Sequence, residues 1–143
     1  SANGYRPVSY SFNSLQERFD VVCQNEGQKI TDIFKKLSGS ELMLALEDIK
    51  IGWGNRLESH AKKFIPVYQA TGGLLSDALD HLLATKLFRT GKVTGRYDTS
   101  IEQLQNIESA LETSWKELGL QDKPTYSLQL LRDDIQRKEQ GGV

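Results

Sequence analysis

The stretch Ser100–Gly119, SIEQLQNIESALETSWKELG, decides the fold class of this chain. Ile101, Leu104, Ile107, Leu111, Trp115 and Leu118 recur at steps of three and four, the spacing of one apolar face on an α-helix. Thr99 or Ser100 supplies an N-cap, and Gly119 supplies a stop. The same grammar extends outward in both directions. Toward the C-terminus, Lys123-Pro124 makes a turn. Ser127 then reads as the cap of a last helix carrying Leu128, Leu131 and Ile135.

Toward the N-terminus, Ser76 reads as the cap of a helix with Leu79, Leu82, Leu83, Lys86 and Leu87. Asp77 and Asp80 suit its positive end, and Arg89 its last turn. Thr71-Gly72-Gly73 is a stop before that helix. Leu57, Ala61, Phe64, Ile65 and Tyr68 mark the helix before the stop, and Pro66 should kink or end it. Ser40 caps a short helix carrying Leu42, Met43 and Leu46. Ile30, Ile33, Phe34 and Leu37 form another apolar face. Leu15, Phe19, Val22 and Cys23 form the first, with Gly27 expected to end that helix. Before Asn13 the pattern changes: Pro7 breaks helix, and Val8, Tyr10 and Phe12 alternate with serines as in an extended segment.

The expected architecture is therefore all-α, a helical bundle or orthogonal array of six or seven helices with a short extended N-terminal segment. Residues 1–13 form the extended arm and 14–140 a single helical domain, in which 99–140 are a C-terminal helix pair. At 143 residues one domain is the default, and the length suffices for a real core. Charged residues make up 26% and the net charge is −1, which fits a folded chain and argues against a free-standing nucleic-acid binder. The single cysteine, Cys23, rules out an intramolecular disulfide and fits a reducing, cytoplasmic setting. In its apolar run it reads as a small core residue rather than a reactive thiol. No apolar run approaches a membrane span.

The motifs of several chemistries are absent. There is no G-x-x-x-x-G-K-[ST], no H-E-x-x-H, no paired cysteines and no nucleophile elbow. His60 and His81 fall on different predicted helices. They read as surface or half-buried residues, with a metal pair as the weaker reading. No metal, no cofactor in this chain and no catalytic activity of its own are expected. The candidate binding residue is Arg56, in Gly52-Trp53-Gly54-Asn55-Arg56. A guanidinium stays charged and offers a planar fork of donors, and a helix start adds free N–H groups. Two glycines let the backbone turn tightly, with Trp53 beneath. The alternative is a surface arginine beside Glu58. Lys92, Arg96 and Tyr97 in the Gly91–Asp98 loop could touch nucleic acid, against the reading of a solvated loop.

Together, Gly52-Trp53-Gly54-Asn55-Arg56-Leu57, Phe64-Ile65-Pro66-Val67, Gly72-Gly73 and Ala78-Leu79-Asp80-His81-Leu82-Leu83-Ala84-Thr85-Lys86-Leu87 resemble the C-terminal helical lid region of AAA+ ATPases of the McrB/MoxR-like kind. The match covers roughly Leu42 to Tyr97, so residues 14–98 would be the lid-like part and Ser100 onward an addition. The resemblance implies a lid separated from its P-loop core, with Arg56 sensing the γ-phosphate of ATP or GTP bound with Mg on that core. It implies an ATPase or GTPase as the parent protein, a homo-oligomeric ring, DNA as a further partner and a setting in DNA restriction or phage defence. A stand-alone helical protein-interaction module and a weak nucleic-acid-binding domain are the alternatives.

Overall fold

The fold is described here from a computed structural model, over residues 12–52, 54–89, 99–120 and 122–141. Its elements are α1 (Phe12–Leu37), α2 (Glu41–Asp48), α3 (Asn55–Ala70), α4 (Leu75–Lys86), α5 (Ile101–Glu117) and α6 (Thr125–Glu139), with no strand among the described residues. Helix α1 packs on α3, α3 on α4, α4 on α6, α6 on α5 and α5 on α2. One hydrophobic cluster runs through all six, from Ile30 and Phe34 through Leu46, Ile65, Leu83, Leu104 and Leu111 to Leu131. The stripe of Ser100–Gly119 is its spine: Leu104, Ile107 and Leu111 are fully buried and Trp115 nearly so. Burying such side chains contributes about 1.5–3 kcal/mol each, so the bundle is held mainly by these stripes.

Local chemistry sets several boundaries as expected. Ser40 accepts from the Met43 N–H (3.3 Å), and Ser100 closes a capping box with Gln103. Helix α3 ends in a Schellman turn. The Gly73 N–H bonds to the Tyr68 carbonyl, the Gly72 N–H to that of Gln69, and Gly72 takes a left-handed φ of 91°. A Cβ at Gly73 would overlap the Tyr68 ring. Helix α2 ends in the same way, but with Lys50 at the left-handed position (φ 62°), the one non-glycine residue with positive φ among those described.

Other expectations give way to tertiary contacts. Gly27 does not end a helix; α1 runs through it to Leu37. A helical glycine costs about 1 kcal/mol. Burial of Ile30, Phe34 and Leu37 outweighs that cost, and the Lys29–Glu26 and Gln28–Asp32 pairs reinforce the turn. Phe12 and Asn13 belong to α1 rather than to the extended arm; residues 1–11 lie outside the described set. The Cys23 side chain also lies outside it. Pro66 removes one N–H from α3 without ending it, and the helix continues to Ala70. The N-cap of α4 is Leu74, with Ser76 buried as its second helical residue, and Lys86 rather than Arg89 occupies its last turn.

The start of α6 is the largest correction. Ser127 does not cap it, because the N-cap position is Pro124, which has no side-chain acceptor. Asp80 on α4 does so from outside. Its carboxylate accepts from the Tyr126 and Ser127 N–H groups, both at 2.9 Å, while the Ser127 hydroxyl donates to the Asp80 carbonyl (3.2 Å). Asp80 is only 5% exposed. It is thus a cap for another helix and not the helix-start acid that its sequence position implies. Ser114 on α5 serves α2 similarly, its hydroxyl accepting from the Leu42 N–H at 3.3 Å.

Candidate functional site

On α3, residues 56, 60, 63 and 67 lie at steps of four, three and four. At about 100° per residue they fall within an arc of about 60°. That arc carries Arg56, His60, Lys63 and Val67 and borders the side of the helix that faces α4. Leu57, Ala61 and Ile65 turn into the core behind it. The packing of α3 on α4 therefore leaves a groove with one wall from each helix.

The groove holds two adjoining cavities. The first, about 590 Å³, is lined by Gly52, Gly54, Arg56, Leu57 and His60 from the α3 side and by Lys86 and Leu87 from α4. The second, about 470 Å³, is lined by His60, Lys63, Phe64 and Val67, with His81, Leu82, Thr85 and Lys86 opposite. His60 and Lys86 belong to both, so the cavities form one trough. Among the described residues no acidic residue lines either.

Ion pairing sharpens the contrast. Lys62, on the far side of α3, is paired with Glu58 at 3.2 Å. Arg56, Lys63 and Lys86 enter no ion pair among the described residues. The backbone adds to the positive field at the first cavity. The N-cap of α3 is Gly54, which offers no side-chain acceptor to the first-turn N–H groups. Those groups and the helix dipole favour an anion there. Lys86 sits in the last turn of α4, where a cation is favoured whether or not a ligand is present. A phosphate or carboxylate entering the first cavity would meet a guanidinium, an ammonium, an imidazole and a helix start.

The rings give the second cavity a firm wall. Phe64 stacks on His81 at 5.8 Å and 25°, and its other neighbour is Tyr68 at 5.7 Å. His81 also meets Tyr126 at 5.7 Å. The two histidines expected on separate helices are therefore brought to one trough. Among the described residues no group of three or more His, Cys, Asp or Glu could hold a metal ion.

Arg56 is exposed at the mouth of the first cavity, beside the two glycines quoted with it; Trp53 lies outside the described residues. Lys92, Arg96 and Tyr97 also lie outside them. Lys63, Val67 and Lys86 are not among the site residues singled out from the sequence. For Lys63 and Val67 the signal was the 4-3-4 spacing from Arg56 to Val67, which places two cations, an imidazole and an apolar side chain on a face that is not the core face; Lys86 comes from α4 and has no such signal. No helix among the described residues is long and apolar enough to cross a membrane. Searches with this chain find no matching protein-family model, no matching curated protein and no matching solved structure.

Proposed function

We propose that this chain is a helical recognition module whose α3/α4 trough takes the phosphates of a ligand presented by another body, as the lid of a nucleotide-driven AAA+ ATPase does. One observation carries the reading: Arg56, His60 and Lys86 line a single cavity with no acidic wall among the described residues. Arginine provides the bidentate donors, and lysine provides a point charge. The cavity covers a ligand from one side only, which is what a lid closing over a separately held phosphate needs. In this setting the P-loop core domain of the same protein holds ATP or GTP with Mg. Arg56 stabilises charge on the terminal phosphate, and ring assembly belongs to the full-length protein. The chain itself performs no bond-making step. DNA restriction or phage defence is the setting that the resemblance suggests, in the cytoplasm.

The phosphate cavity and its setting are tested separately. Titration of the chain with inorganic pyrophosphate, followed by amide chemical shifts, should move residues at the start of α3 and the end of α4. Half-saturation is expected on the order of 1 mM, because one-sided contact leaves only about 4 kcal/mol. Arg56→Ala should weaken binding by about tenfold or more, the worth of a charged hydrogen bond. No shift at 20-fold the expected midpoint would remove the phosphate role. For the setting, the full gene should encode a P-loop, and Arg56→Ala in its product should lower nucleotide hydrolysis much more than stability. A gene without a P-loop sinks the lid reading and leaves the cavity's anion binding standing.

A further inference from the structure

We infer that the second cavity of the trough is the docking site for an acidic amphipathic helix from a protein partner. Phe64, Val67 and Leu82 supply its apolar surface, while Lys63 and Lys86 stand at its edges. Val67 is 65% exposed although it follows a buried turn of α3. An apolar side chain of that size left open beside a half-buried aromatic ring is a contact surface. It occurs where the cations also converge.

Three observations choose the occupant. The charge is one-sided: among the described residues no acid lines the cavity, and Lys63 and Lys86 enter no ion pair. A partner must therefore bring carboxylates, and opposite charges also speed its encounter. The cavity is elongated. From residue 60 to residue 67 it follows α3 for about 10 Å at 1.5 Å per residue, the length of two turns of a facing helix. Its walls are two helices, which offer side chains and no free backbone edge. An extended peptide would leave its own N–H and C=O groups unpaired there, whereas a helix satisfies them internally and presents apolar residues at i, i+3, i+4 and i+7.

In the docked state, the apolar stripe of the partner covers Val67 and Phe64, and glutamates or aspartates flanking that stripe reach Lys63 and Lys86. This site does not depend on the phosphate reading. Arg56 belongs to the first cavity alone, and Val67 to the second alone.

The probe is a fluorescein-labelled, side-chain-stapled helical peptide of about 14 residues, with leucine at i, i+3, i+4 and i+7 and glutamate on both flanks. Its control carries lysine in place of each glutamate. Fluorescence anisotropy should give saturable binding of the glutamate peptide, and amide shifts should map it to α3 and α4. Val67→Asp should reduce affinity at least tenfold with an unchanged thermal melt. Lys63→Glu should reduce it at least fivefold and bring the lysine peptide to binding. Arg56→Ala should leave peptide affinity within twofold while weakening pyrophosphate. Equal binding of the two peptides to the unmodified chain would overturn the inference. So would unchanged affinity in both the Val67→Asp and Lys63→Glu variants, or shifts that map away from α3 and α4. No pyrophosphate binding by the unmodified chain, with peptide binding intact, counts against the phosphate reading alone.

Discussion

On the side of α4 that meets α6, Asp80 is buried, accepts two backbone N–H groups and has a fixed geometric duty. On the side that meets the trough, Lys86 is exposed, enters no ion pair among the described residues and shares a cavity with Arg56. The two charged residues are six positions apart on one 12-residue helix. The chain resolves the first charge internally and leaves the second open. A buried charge must be matched inside the fold, because desolvating it unpaired costs several kcal/mol. An exposed charge carries no such obligation, so its convergence with other cations on one cavity points outward, to a ligand.

Substitutions should separate the two sides cleanly. The largest effect belongs to Asp80→Ala, which leaves two N–H groups at the start of α6 without acceptors. Urea unfolding should show a loss of about 2–4 kcal/mol, and the glycine-free helix α6 should fray first. Asp80→Asn keeps an acceptor for one of the two N–H groups and turns an amide donor toward the other, so it should cost about 1–3 kcal/mol. A loss under 0.5 kcal/mol in Asp80→Ala would break the comparison at its buried end.

Next comes Gly73→Ala. The new methyl group must displace the Tyr68 ring from its place beside Phe64, at an expected cost of about 1–3 kcal/mol. Because Phe64 also walls the second cavity, the same variant should alter peptide binding there. Lys50→Gly acts in the opposite direction. It relieves a left-handed lysine at the end of α2 and should raise stability by about 0.5–1 kcal/mol, the left-handed penalty less the added chain entropy of glycine. The smallest changes in stability are expected for Arg56→Ala and Lys86→Ala, within about 0.5 kcal/mol of the parent in thermal melts. A larger loss in either would mean that the trough cations are also architectural.

What the sequence makes legible here is whatever a residue does to its own turn of chain. The 100–119 stripe, the caps at Ser40 and Ser100 and the stop at Gly72-Gly73 all act through steps of five positions or fewer, and all are where the sequence places them. What fails is whatever a neighbour decides. Gly27 stays helical because Ile30 and Phe34 are buried against the rest of the bundle. Ser76 and Ser127 are passed over as caps, and the second helix start is taken by Asp80 from 46 residues away. The candidate site follows the same division. Arg56 could be singled out from its glycine-rich turn. Lys86 could not, because only the packing of α3 on α4 places it across the cavity. Lys63 and Val67 lay in the 4-3-4 row and were obscured by the stronger apolar stripe beside them.

The bond from Asp80 to α6 also fixes an order of events. A helix that begins at a proline with no cap of its own gains its first-turn acceptors only after α4 has arrived. The closing turn of the bundle is therefore conditional on a contact spanning a third of the chain, and α6 should be completed late in folding. The amide protons of Tyr126 and Ser127 then become reporters. Both are bound by Asp80 rather than by their own helix, so their hydrogen exchange measures how often α4 and α6 part.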